Sequence, residues 1–184
     1  MNKDRKFYKN TYHHLYNRGA NKGLIYFDHK SYLHFLRRLK FYKDKYCIEI
    51  LSYCLMPNHF HLFVKQKTDE LLISDFISSL LNSYVKSINI KYDRSGTLFE
   101  SKTKSKIILE QNYFMWVIKY ILENPVKAKL VKNIEDWEFS NAKDILGLRN
   151  GNLTNLNEIK SYFNSEQQMR EYLTNINIKV DYEF

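Results

Sequence analysis

Apolar and polar positions along this chain follow two periods, and the switches between them mark its elements. Thr11 to Gly19, TYHHLYNRG, carries a short-period mix of Tyr, His and Leu that closes on glycine, which predicts a first strand. After a turn, Tyr32, Phe35, Leu36, Leu39 and Tyr42 recur at helical spacing with Arg and Lys between them, and Asp28 stands where an N-cap belongs. CIEILSYCLM and HFHLFVKQ are apolar runs of strand length separated only by Pro57 and Asn58, so they read as antiparallel neighbours in a tight connection.

DELLISDFISSLLNSYVKSINIKY places Leu72, Phe76, Ser79 or Leu80, and Tyr84 at steps of three and four, a second amphipathic helix. RSGTLFESKTKSKIIL opens on a turn at Gly96, then alternates β-branched and apolar residues with lysine, which predicts a basic edge strand. The third helix is NYFMWVIKYILENPVKAKLV, with Pro125 expected to end or kink it near Asn124. A short Trp-containing segment and two short helices, around LNEIKSYF and EQQMREYLTNI, complete the chain. The order β-α-β-β-α-β-α predicts an α+β fold, a ferredoxin-like, antiparallel-rich sheet covered by helices.

Composition fits one compact unit: 184 residues, 44% hydrophobic, with five Gly and two Pro that leave little for flexible linkers. The chain carries 29 Lys plus Arg against 20 Asp plus Glu, a formal charge of +9, and its aromatic content is 16%. Positive charge with aromatic faces suits nucleic acid, single strands especially; an A·T-rich genome yields the same bias without such a partner. Cys47 and Cys54 lack the spacing of a CxxC motif and read as reduced core residues. The polar N-terminus does not resemble a signal peptide and no apolar run is long enough to cross a bilayer, so a cytoplasmic protein with no membrane partner is expected.

Alternation puts His59, His61 and Phe63 on one face of their strand and Phe60, Leu62 and Val64 on the other. Same-face positions lie about 6.5 to 7 Å apart, so two leaning imidazoles can reach one ion at about 2.1 Å; a lone HxH is equally a pair of satisfied core or surface histidines. Tyr120 and Asn124, four residues apart, share a helical face and can present a phenol and an amide together. Tyr113, two turns before Tyr120, is a rival nucleophile by spacing but reads as packing, as do Tyr84 and Tyr92. His13 and His14 read as structural or solvent-facing, with a place at the rim of a site as the alternative. Lys102, Lys104 and Lys106 alternate, with Arg94 and Lys91 upstream: a track for a DNA backbone, or an edge strand guarded by lysines. Arg37, Arg38 and Lys40 belong to a solvated helix face.

MPNHFHLFV, SGTLFESKTKS and KYILENPVKA, in that order, resemble the single-tyrosine HUH transposases: the insertion-sequence-200-like proteins and, within them, the REP-associated branch, which shares Y-I-x-x-N-P-V. The resemblance covers nearly all of the chain and implies an HUH endonuclease fold, with residues 1–148 as catalytic domain and 149–184 as a helical extension packed on it. It further implies that His59 and His61 bind a divalent ion, Mg2+ or Mn2+, that Asn124 supplies a third ligand, and that Tyr120 attacks single-stranded or hairpin-flanked DNA to form a 5′-phosphotyrosine. Arg94, Lys102, Lys104 and Lys106 would contact the DNA, and a homodimer and a monomer both remain open. The alternatives are a non-catalytic DNA or RNA hairpin-binding protein on the same fold, and an HUH replication nickase, in which ENPVKA is not expected.

Overall fold

The computed structural model describes residues 9–70 and 72–175. The polar N-terminal stretch before Lys9 and the end of the last expected helix, at Ile176, lie outside them. Strands β1 (Tyr12–Arg18), β2 (Ile48–Met56), β3 (His59–Gln66) and β4 (Lys104–Ile108) form one antiparallel sheet in the order β2-β3-β1-β4. Helices α1 (His29–Lys45), α2 (Ile73–Lys91) and α3 (Gln111–Lys127) intervene as the periodicity predicts, and short α4 (Ala142–Ile145), α5 (Asn157–Lys160) and α6 (Glu166–Thr174) follow. This is the expected α+β, ferredoxin-like arrangement.

Local chemistry sets the boundaries. Asp28 caps α1 reciprocally: its Oδ1 accepts from Ser31 N at 2.7 Å, while Ser31 Oγ accepts from Asp28 N at 3.1 Å. Pro57 and Asn58 make the two-residue link between paired Met56 and His59. The tip of this hairpin is held by Gly19 N donating to Asn58 O and Ile25 N to Pro57 O, at 2.8 and 2.9 Å.

The sheet is apolar on both faces. Leu15, Phe60, Leu62 and Val64 meet Phe35 and Leu39 of α1 and Phe76, Leu80 and Tyr84 of α2. Phe63, Leu51 and Cys54 face Phe114, Val117, Ile118 and Ile121 of α3, and Ile159, Met169 and Leu173 of the C-terminal helices join that layer. His59 and His61 share the α3 face with Phe63, as alternation requires.

Several details depart from the sequence reading. Helix α2 starts at Ile73, after Asp69 and Glu70. Cys47 is exposed in the turn before β2 at φ 50°, so only Cys54 is a core thiol. Pro125 does not stop α3 at Asn124; the helix runs to Lys127. A proline in the last turn deletes only the bond to Ile121 O, and the Asn124 side-chain amide lies 3.5 Å from that carbonyl. The segment around Trp137 holds α4, preceded by fully buried Asn141, which serves a break in the β2 register between Ile50 and Ser52. Asn141 Oδ1 accepts from Tyr53 N at 3.0 Å and Ser52 Oγ at 3.1 Å, and its Nδ2 donates to Leu51 O at 3.0 Å.

Replacing Asn141 by Leu keeps the branched shape, adds bulk in a fully buried site and strands two buried backbone groups, so Asn141→Leu should lower unfolding stability by about 2 kcal/mol or more. Urea denaturation measures this, against Phe41→Ala at an exposed position as a near-neutral control.

Candidate active site

β3 carries His59 and His61 toward α3, and α3 returns Tyr120 and Asn124 to the same spot. The His61 ring lies edge-on to the Tyr120 ring, centroids 5.6 Å apart, and His59 stands perpendicular to His61 at 5.2 Å. Together with Tyr16, Arg18, Lys22, Asn58 and Lys104 these residues line a cavity of about 430 Å³. Five of the residues singled out from the sequence, His59, His61, Lys104, Tyr120 and Asn124, thus converge from three separate segments.

Neighbouring side chains set the ring tautomers. Asn58 Nδ2 donates to Lys22 O at 3.2 Å, so its Oδ1 is the acceptor 2.7 Å from His59 Nδ1, which carries the proton and leaves Nε2 as a lone-pair donor. His61 Nδ1 lies 2.9 Å from Nε2 of fully buried His14. When His61 donates in that bond, its Nε2 is a lone-pair donor too. Burial first, then His14 and His59, holds His61 well below the usual histidine range; burial, then Arg18, lowers His59 as well, and Asn124 opposes both shifts. Both imidazoles are therefore neutral at pH 7.

Asn124 Nδ2 donates to Tyr120 O at 2.8 Å, so Oδ1 is the amide atom left to face the histidines. Among the described residues no three His, Cys, Asp or Glu side chains cluster as a metal site; the Asn124 amide oxygen stands beside the two imidazoles as an oxygen donor. Two neutral imidazoles and an amide oxygen form an uncharged, nitrogen-rich set with open positions, which fits a divalent ion exchanging ligands with a substrate.

Burial, then Tyr16, raises the Tyr120 hydroxyl above the ordinary tyrosine value, while Asn124 works the other way. Lys127 Nζ stands 5.1 Å from the Tyr120 ring centroid, and Trp116 and Tyr113 extend a stack along the helix at successive spacings of 5.3 and 5.0 Å. Lys106 Nζ donates to the Tyr113 hydroxyl at 3.0 Å, and Lys104 Nζ lies 5.8 Å from the Tyr16 ring centroid.

His14 is neither at the rim nor solvent-facing; its burial fits the structural alternative of the sequence reading, but sequence reasoning missed that it packs against His61. The Tyr12-His14-Tyr16 alternation held the signal, but only the β1–β3 pairing, with His14 opposite Phe63, locates it. Lys127, Arg18 and Lys22 were missed because exposed cations give no periodic cue. The three-lysine ladder is reduced to two: Lys104 and Lys106 lie on β4, whereas Lys102 precedes the strand, in a segment held to Asn17. Arg94 is elsewhere, its guanidinium 5.3 Å from the Phe27 ring centroid and bonded to Asn89. Tyr84 is core, donating to Ile25 O at 2.7 Å, and half-buried Tyr92 packs on Phe27.

A family model described as "Transposase IS200 like" matches residues 7–128, which include every element from β1 to α3. The solved structure described as a REP-associated tyrosine transposase bound to a REP hairpin is 18% identical, covers 85% of this chain and 96% of its own, and superposes with a TM-score of 0.67. A second solved structure, from Deinococcus radiodurans R1, is 16% identical over 66% of this chain and 95% of its own, with a TM-score of 0.46. No curated protein matches. Among the described residues no helix is long and apolar enough to cross a membrane.

The buried histidines should make the fold acid-sensitive. Burial pushes His13 down to about 4, and burial followed by Lys106 pushes His14 down to about 3. Their folded values lie below the unfolded value of about 6.5, so the unfolded chain binds more protons under that pH. Stability present above pH about 6.5 should drain away as pH falls toward 4, with a limiting slope near 1.4 kcal/mol per pH unit for His14 alone. Thermal melts between pH 7.5 and 4.5 measure it; a melting temperature that does not fall across that range contradicts the neutral, buried assignment.

Proposed function

The chain belongs to the IS200-like transposase family, and on that premise we propose that it cuts and rejoins single-stranded DNA at a hairpin-flanked site through a 5′-phosphotyrosine on Tyr120. The observation that carries this reading is the placement of Tyr120 and Asn124 against the His59–His61 pair in one cavity.

Tyr120 Oη would attack the phosphorus of a phosphodiester and lose its proton as the phosphotyrosine bond forms. The bond to the 3′-side oxygen breaks, and that oxygen takes up a proton to leave a 3′-hydroxyl. Because one phosphate ester replaces another, a different 3′-hydroxyl can attack the phosphotyrosine and rejoin DNA without a nucleotide cofactor. The neutral phenol, pushed up by burial, needs help to become a nucleophile; the Lys127 ammonium stands 5.1 Å from its ring centroid as the nearby positive charge.

His59 and His61 through Nε2, with Asn124 Oδ1, would hold the divalent ion, magnesium or manganese. When bound, that ion would neutralise charge growing on the scissile phosphate and stabilise the departing oxygen. Asn58 and His14 keep the two imidazoles in the donor tautomer and orientation that this requires. The hairpin as partner is supported by the relative of similar fold described as bound to a REP hairpin. Lys22 and Lys104 supply positive charge at the cavity for the DNA backbone.

Incubating the protein with labelled hairpin DNA and magnesium or manganese should give a covalent adduct on a denaturing gel, lost in Tyr120→Phe and in the presence of a chelator. His59→Ala should cut adduct formation by at least about 100-fold while hairpin binding stays within a few-fold of wild type. Equal adduct from Tyr120→Phe and wild type would sink the nucleophile assignment.

A further inference from the structure

A second cavity, of about 810 Å³, lies on the opposite face of the sheet from His61, between α2 and the segment 97–105. Its floor is apolar, from Leu15, Leu81 and Leu98. One wall is a polar stripe on α2 at steps of four: Ser74, Ser78, Asn82 and Lys86. None of these four side chains has a hydrogen bond or ion pair to another side chain among the described residues, and Ser78, Asn82 and Lys86 are exposed. Lys102, displaced from the expected ladder, stands on the facing segment.

The two cavities share lining residues, and the sheet edge shows why. Tyr16 pairs with Lys104, and Gly19 bridges Phe99, so three steps along β1 span five along its partner. Glu100 N still donates to Arg18 O at 2.9 Å, so the excess makes residues 101–103 bow away from the sheet, a bulge at its edge. Nearly buried Asn17 pins the bow, donating through Nδ2 to Ser101 O at 2.8 Å. Asn17, Glu100 and Ser101 line both cavities, and a chain leaving the His59–Tyr120 cavity past the bow enters the α2 groove.

We propose that the α2 groove is a second DNA subsite, holding the single-stranded nucleotides that adjoin the cleaved phosphodiester. This rests on the function proposed for the Tyr120 site and adds where the strand runs beyond it. The chemistry matches a single strand in three respects. Ser78 and Asn82 offer donors and acceptors at the height of base edges, Lys86 and Lys102 flank the groove for phosphates, and the apolar floor suits base and sugar faces.

The test compares binding of a labelled random-sequence single strand of DNA, by fluorescence anisotropy, in a Tyr120→Phe background that performs no chemistry. The triple variant Ser78→Ala, Asn82→Ala, Lys86→Ala lies on the outer face of α2, where alanine favours the helix, and should fold. It should bind about tenfold more weakly, whereas Lys40→Ala, which removes one charge from exposed α1, should bind as tightly as the background protein. Unchanged binding by the triple variant overturns the subsite, and so does an equal loss in Lys40→Ala, which would trace the effect to net charge. Failure of the nucleophile reading would show separately, as an adduct that survives Tyr120→Phe, and would leave this binding comparison intact.

Discussion

The packing of α3 across one face of the sheet is the contact on which the candidate site depends. Phe114, Val117, Ile118 and Ile121 give α3 an apolar edge that buries against Phe63, Leu51 and Cys54. With about 0.8 kcal/mol per buried CH₂ and strong shape constraints, such an interface tolerates little rotation of the helix. Tyr120, between Ile118 and Ile121 on the helix, therefore faces His61 with little freedom to turn away. Asn124 follows one turn later, and Pro125 leaves it in place by interrupting only the last turn.

The same face of the sheet must also accommodate polar rings within an apolar layer. His14 and His61 meet this demand together: each is desolvated, each is held neutral, and a 2.9 Å hydrogen bond joins them. A charged imidazole there would cost far more than a neutral one. Neutrality is what lone-pair donation toward a cation requires, so burial and metal-binding chemistry point the same way.

The outer edge follows from a different constraint. β4 is short because residues 101–103 bow away from β1, tethered there by the Asn17 side chain, before backbone pairing resumes at Glu100 and Phe99. The bow carries Lys102 off the strand face that Lys104 and Lys106 share, and its residues border cavities on both sides of the sheet. Basic groups at this edge discourage edge-to-edge pairing and attract phosphate, two consequences of one placement.

Much of this was written in the residues one after another. Period-2 and period-3.6 patterning located the strands and the three long helices, Asp28 marked the start of α1, and alternation assigned His59 and His61 to one face and Phe60, Leu62 and Val64 to the other. These are local properties, set by backbone geometry within a few residues. The partnership of His14 with His61, the supporting positions of Asn58 and Lys127, the exposure of Cys47 and the departure of Lys102 from its ladder were not legible in this way. The His14–His61 contact and the place of Lys102 depend on strand order, register and a tether far along the chain, whereas Asn58, Lys127 and Cys47 owe theirs to a turn or helix end that hydrophobic patterning does not describe. Sequence determined what each segment is; only tertiary pairing decided which side chains share a space, because contact between distant residues is fixed by packing rather than by period.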